Sequence, residues 1–156
     1  IAALTGPAGA AGVTLAVSCD VLIASETASL GYPEIDVGVI PAMHFVHLPR
    51  QIGRHKAFEL LFGGKPISAH EAEKHGLVNR VVPQAKVKEE ARALAREFAA
   101  KSPVVMRLAR DSFMRSNDFE YRRAIENVVE TICNIIETED AQEGLAAFNE
   151  KRPPRW

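Results

Sequence analysis

Lysine and arginine are missing from the first 49 residues. All 19 basic residues come at or after Arg50, and the acids before it are Asp20, Glu26, Glu34 and Asp36. A stretch this poor in charge is expected to be mostly interior, with the remainder an amphipathic surface. Cysteine is scarce as well: Cys19 and Cys133 both stand in apolar contexts. They read as reduced core residues of an intracellular protein, not as a disulfide framework. No apolar run reaches the length of a bilayer, and no signal peptide or lipidation motif is visible, so no membrane partner is expected and the compartment is taken as cytoplasmic or otherwise intracellular. A net charge of −1 lacks the basic excess that general nucleic-acid binding needs. There is no internal repeat and no low-complexity segment. With 47% apolar and 25% charged residues, the 156 residues suit one globular domain or a little more.

What is present is a run of very small residues, Gly6-Pro7-Ala8-Gly9-Ala10-Ala11-Gly12, between two apolar strand-like segments, Ile1–Leu4 and Val21–Ala24. A buried strand ending in a Gly/Pro turn, then a helix from about Gly9 to Ser18, is the expected local structure. Tiny residues at a helix start let a ligand or another backbone approach closely. The unpaired N–H groups there favour negative charge, whether a phosphate or the oxyanion of a polarised carbonyl. The alternative is a plain close contact between helix and sheet.

The remaining pattern is read in order. Strands are expected at 1–5 and about 20–24, parallel, with the helix crossing between them, and a short strand at 28–31. Residues 36–39 form another extended piece or a turn. Pro41 opens a helix to about Ile52, and a second helix follows Gly53 and ends before Gly63-Gly64. Ser68 and Glu71 form a capping box, with Gly76 as the C-terminal stop. Val78–Val82 is a strand, and the chain is helical beyond Pro83. Val87, Ala91, Leu94, Ala95 and Phe98 share a face there. Ser102-Pro103 starts a helix whose Val105, Leu108 and Ala109 point inward. Tyr121, Ile125, Val128, Ile132 and Ile135 form a long stripe, either core or a subunit contact, and Thr138 caps a last helix.

Glu34 is the residue with chemistry to offer. It follows Gly31-Tyr32-Pro33 in an otherwise apolar segment, so it is either a cap or a general base in a dry pocket, where burial would raise its pKa. His44 and His47 are an i, i+3 pair. A metal site needs more ligands, so none is expected. His44 as an extra acid or base in the pocket, or both histidines as packing or surface residues, remain open.

Taken together, Gly-rich helix start, Cys19-Asp20, Gly31-Tyr32-Pro33-Glu34, Gly38-Val39-Ile40-Pro41, Leu48-Pro49-Arg50, Ile67 to Ala72, Gly76-Leu77-Val78 and Asp140 to Arg152 resemble the enoyl-CoA hydratase/isomerase (crotonase) family across essentially the whole chain. The resemblance implies an α/β crotonase-like core of parallel strands and flanking helices. Residues 1–83 would be the C-terminal half of that core and 84–156 a helical region used for trimer contacts, often in a dimer of trimers. Family members carry an N-terminal half before this point. Strands 1–4 and 21–24 would find partners in it, and it would supply a second oxyanion donor. The resemblance makes Glu34 the catalytic acid/base and the Ala11 N–H the first oxyanion donor. It makes Gly12, Pro33, Pro41, Ala42, Met43 and His44 the acyl pocket, and brings Phe148 and Lys151 to the nucleotide end of CoA. From spacing alone, Phe148 would pack in the core and Lys151 would be solvated. No cofactor is implied beyond the coenzyme A of the substrate.

The departures from the family pattern bear on the reaction. Hydratases of the family carry a second Glu where this chain has Thr14, which cannot ionise but can hydrogen-bond a water. One carboxylate suits the shuttling of a single proton between carbons, as enoyl-CoA isomerases do. Ala42 replaces a Gly, and Met43-His44-Phe45-Val46-His47 is bulky where the family is small, so the pocket is expected to be reshaped. The expectation is an acyl-CoA-processing enzyme, isomerase or hydratase, working through a thioester enolate. A hydrolase, a carbon–carbon bond hydrolase or a catalytically weak acyl-CoA binding protein are the alternatives.

Overall fold

The computed structural model describes residues 1–37, 40–41, 43–118 and 120–155, and excludes the side chains of residues 121, 122, 124, 125, 127 and 128. Ala42 therefore lies outside the described residues, as do Gly38 and Val39 and the side chains of Tyr121, Ile125 and Val128. The chain forms two compact units, residues 1–94 and 95–156.

The first unit opens with β1 (Ala2–Leu4), β2 (Ala8–Gly9), α1 (Ala11–Val17), β3 (Leu22–Ser25) and β4 (Ser29–Gly31). A 3-10 turn over Pro33–Val37 follows, then α2 (His44–Ile52), α3 (Arg54–Gly63), β5 (Ile67–Ser68), α4 (Ala69–Lys74), β6 (Arg80–Val82) and α5 (Val87–Ala99). One sheet has the order β1-β3-β6 and is parallel throughout, with Ala2 opposite Leu22 and Ile23 opposite Arg80. The other is β2-β4-β5, parallel between β2 and β4 and antiparallel between β4 and β5.

Every residue of β3 is buried, as expected of a parallel strand covered on both faces. Its side chains alternate. Leu22 and Ala24 join the main core with Val13, Leu30, Tyr32, Leu48, Leu60 and Leu61. Ile23 points the other way, to Val87 and Leu94 of α5. That second contact explains why the first unit runs to Leu94 where the sequence put the boundary at 83: the opening turns of α5 cover the back of the sheet. On the same helix Ala95 and Phe98 are exposed, so the expected apolar face is buried only at its start.

Several local signals act as read. Ser68 accepts a hydrogen bond from the Glu71 N–H, the first half of the capping box, while the Glu71 carboxylate pairs with Lys56 in place of the return bond. At the other end of α4, Gly76 (φ 77°) closes a Schellman turn, with Gly76 N–H donating to Glu73 O and Leu77 N–H to Ala72 O. Other readings are corrected. α1 begins at Ala11, after Ala10 at φ 50° and ψ −121°. The pairs Ala8–Gly9 and Ile67–Ser68 are strands that no periodicity announces. α2 starts at His44, not at Pro41, and holds Pro49 within it. Leu15, 75% exposed, shows that the cation-free third is not all interior.

The second unit contains α6 (Pro103–Asp118), α7 (Tyr121–Ile136) and α8 (Glu139–Glu150). Ser102 accepts from the Val105 N–H and Thr138 from the Ala141 N–H, so both caps are real. α6 packs along α7, where Thr131 donates to the buried Ser112 at 2.8 Å. Ser102 donates to Asp140. Arg152 grips Glu143 with both terminal nitrogens' reach, one contact to each carboxylate oxygen, and holds that carboxyl down at about 2. Ala109 is exposed, and so is Cys133; Cys19 is half-buried and both cysteines are free thiols. Their reading as core residues fails for Cys133 because its helix face is uncovered in the single chain.

Candidate active site

The pairing of β2 with β4 builds the site. It sets Gly9 opposite Gly31, and the Ala10 N–H donates to Gly31 O at 3.2 Å. The start of α1 is thereby fixed beside the segment that carries Glu34. Gly31 itself has no room for a side chain, since a Cβ there would lie 2.8 Å from Pro66 Cα. From the other side α2 turns His44 and Leu48 inward, one helical turn apart on one face.

These elements enclose an open cavity of about 300 Å³. Ala11, Thr14 and Glu34 line one part of it, and Ile40, Pro41, Met43 and His44 the rest. Of the expected site residues, the structure thus brings together Glu34, Ala11, Thr14, Pro41, Met43 and His44. Gly12 and Pro33 are not in the lining. His47 is exposed on α2 and is not in the lining.

Glu34 is half-buried, and its Oε2 is buried with no hydrogen-bond partner. A buried carboxylate oxygen without a donor is costly, and here it belongs to a residue of the cavity wall. At α1, Val13 and Thr14 N–H donate to Ala10 O at 3.0 and 3.1 Å. By helix geometry the N–H of Ala11 has no intrahelical acceptor, so one cavity combines a carboxylate with a free backbone donor.

The sequence did not reveal the polar cluster behind that wall. Thr14 Oγ1 donates to Ala10 O at 3.3 Å and lies 2.8 Å from His44 Nε2. His44 Nδ1 lies 3.1 Å from the Tyr32 hydroxyl, and the two rings sit 4.4 Å apart at 53°. Tyr32 is fully buried and His44 is 3% exposed. Burial pushes the Tyr32 phenol above its usual range, and the charge of Glu34 adds to this. Burial also lowers the His44 pKa, opposed by Glu34 and helped by His47. Both rings are therefore held neutral near pH 7. The only available signal was a Tyr beside the Glu motif and a His where small residues were expected.

In the second unit Phe148 is 82% exposed, so it does not pack in a core. Lys151 follows α8 at φ 54°, in the left-handed region, and is exposed; it does not continue the helix face of Phe148.

A family model described as enoyl-CoA hydratase/isomerase matches residues 1–156. The chain belongs to the enoyl-CoA hydratase/isomerase family. Human enoyl-CoA hydratase domain-containing protein 3, mitochondrial, is 38% identical over 156 residues, which are all of this chain and 52% of that protein. The crystal structure of that human protein matches with a TM-score of 0.93 at 37% identity, over 99% of this chain and 61% of the other. That of an enoyl-CoA hydratase from Bacillus anthracis matches with a TM-score of 0.92 at 38% identity, over 97% of this chain and 59% of the other. The crotonase-like α/β fold is thereby established. The chain spans between 52% and 62% of the length of the curated relatives it matches, from the human protein to one of Thermus thermophilus. No described helix is long and apolar enough to cross a membrane.

Proposed function

We propose that this family member isomerises an enoyl-CoA, with Glu34 as the catalytic acid/base and the Ala11 N–H as one donor to the thioester enolate. The observation that carries this reading is the unpartnered Glu34 Oε2 in the wall of the cavity that Ala11 also lines. Glu34 takes a proton from one carbon of the acyl chain and returns it to another. The negative charge that accumulates on the thioester oxygen meanwhile meets a backbone dipole already in place. Thr14 stands where a second carboxylate would be, and its hydroxyl hydrogen is committed to Ala10 O. It therefore has no proton to supply to a substrate. This favours a one-carboxylate proton shuttle over hydration.

Hydration is the second reading, favoured by relatives whose names include enoyl-CoA hydratase. In either case the substrate is an acyl-CoA and CoA is the only cofactor moiety. Phe148 and Lys151 are exposed, free to meet adenine and phosphate, and the helical unit mediates a homotrimer or a dimer of trimers.

In the full-length protein, Glu34→Gln should leave acyl-CoA affinity in place and lower turnover of an enoyl-CoA about a hundredfold or more. Full activity in that variant would remove Glu34 from the mechanism. Thr14→Glu separates the two readings. Hydration that appears only in the variant supports isomerisation as the native reaction, while hydration already fast in the wild type supports the second reading.

A further inference from the structure

The cluster behind the cavity has a single consistent direction. Thr14 has one hydroxyl hydrogen, and it goes to Ala10 O. Thr14 Oγ1 must then accept from His44, so Nε2 carries the hydrogen. A neutral imidazole has one N–H, so Nδ1 is an acceptor and the Tyr32 hydroxyl donates to it. The chain of donors runs from Tyr32 to His44 to Thr14 to the Ala10 carbonyl. It joins residues 12 and 30 positions apart, from α1, α2 and the link between β4 and the 3-10 turn, and every donor in it is satisfied.

Its end point is the peptide between Ala10 and Ala11. In a trans peptide the C=O and N–H point in opposite directions from one rigid plane. Whatever holds Ala10 O therefore aims the Ala11 N–H: the Val13 and Thr14 N–H groups at 3.0 and 3.1 Å, joined by the Thr14 hydroxyl at 3.3 Å. Ala10 needs holding: it is a non-glycine residue at φ 50° and ψ −121°, outside the regions L residues favour.

We propose that His44 is a positioning residue, which through Thr14 locks the Ala10–Ala11 peptide so that the Ala11 N–H faces the cavity. This deepens the functional reading above and rests on it for the role of the Ala11 N–H. It also assigns His44 against the acid/base alternative. Both ring nitrogens are occupied by partners within the protein, so His44 has no free position from which to exchange a proton with a substrate.

The test uses the full-length protein, with kinetics on an enoyl-CoA and the Ala11 amide resonance in protein labelled at alanine. His44→Leu fills the site but breaks both contacts. His44→Gln restores a donor at the place of Nε2 yet cannot act as an acid or base near neutral pH. Thr14→Val keeps the shape and removes the hydroxyl. The expected result is a fall in kcat of about tenfold or more for His44→Leu and for Thr14→Val, with KM little changed. His44→Gln should recover to within about threefold of wild type, and the double variant Thr14→Val/His44→Leu should be no slower than either single. The Ala11 resonance should move in the Leu and Val variants and return in the Gln variant. A Gln variant as slow as the Leu variant, or losses that multiply in the double variant, would overturn the proposal in favour of direct catalysis. An Ala11 resonance unmoved in Thr14→Val would overturn it outright, and that readout decides even if the wild type turns over no enoyl-CoA, in which case the functional reading fails on its own.

Discussion

In residues 1–94, Tyr32, Ile23, Leu30, Leu48 and Val13 are fully buried, and the buried polar groups Ser25 and His44 have partners. In residues 95–156 the buried residues among those described are Ser102, Ser112 and Ala147, while Phe113, Val129, Ile132, Leu145 and Phe148 are more than half exposed. Fixing a residue's backbone costs about 1–2 kcal/mol, and apolar burial returns about 25 cal/mol per Å². Among the described side chains of the second unit, the one fully buried apolar side chain is that of Ala147. The first unit also leaves Phe45, Phe58 and Phe62 stacked on its surface, but over a filled core. The described apolar side chains are mostly buried or half-buried in the first unit and mostly exposed in the second.

The sharpest way to break this contrast is at α7. Val129, Ile132 and Ile136 are exposed at spacings that share a helix face. If a neighbouring subunit covers them, each isoleucine there contributes about 1.5–3 kcal/mol to assembly, and a carboxylate in its place is left without a partner. Ile132→Asp should dissociate the full-length protein to smaller species in sedimentation velocity. An unchanged mass distribution would mean that the stripe is ordinary surface.

The next largest effect lies in the first unit. At Gly31 the colliding atoms are the Cα and ring of Pro66, which cannot rotate away. Gly31→Ala should lower unfolding free energy by about 3 kcal/mol, the upper end for overpacking, and should disturb the Ala10 N–H bond to Gly31 O. Leu145→Ala, at a side chain 56% exposed, should stay within about 0.5 kcal/mol. Equal losses in urea titrations of the two variants would erase the distinction between the units.

How far the sequence foretold each unit follows the range of the interactions. Caps at Ser68, Ser102 and Thr138 and the stop at Gly76 were legible because donor and acceptor lie three to five residues apart. The strands over 1–5 and 20–24 were legible because a buried parallel strand is apolar throughout. The pairs Ala8–Gly9 and Ile67–Ser68 were not: two residues carry no period, and only the partner makes them strands. The family resemblance selected Glu34, Ala11 and Thr14, and the fold brings them to one cavity. It could not supply the Tyr32–His44–Thr14 chain, whose members touch only after α2 has docked. An apolar sequence context does not fix burial on a helix, and Cys133 is exposed.

Lys151 tests the exposed unit at the scale of one contact. An ammonium meeting the CoA 3′-phosphate is a charged hydrogen bond, worth about 1–2 kcal/mol. Lys151→Ala should weaken CoA by that amount in a binding titration and leave dephospho-CoA almost unaffected. Equal weakening for both ligands would show that Lys151 does not read that phosphate.

The smallest effect compares the two described non-glycine residues with positive φ, one in each unit. Lys151, at φ 54° and ψ 38°, occupies the ordinary left-handed basin, which costs a side chain about 1 kcal/mol. Ala10, at ψ −121°, lies outside that basin, where the cost is about 2 kcal/mol. Glycine removes either strain but gives the unfolded chain about 0.4–1 kcal/mol of added freedom. Lys151→Gly should therefore be near neutral, and Ala10→Gly should stabilise by about 1 kcal/mol, read as a higher urea midpoint at unchanged slope. A lower midpoint for Ala10→Gly would show that the φ of Ala10 carries no strain, and that the first unit keeps its site in place by packing alone.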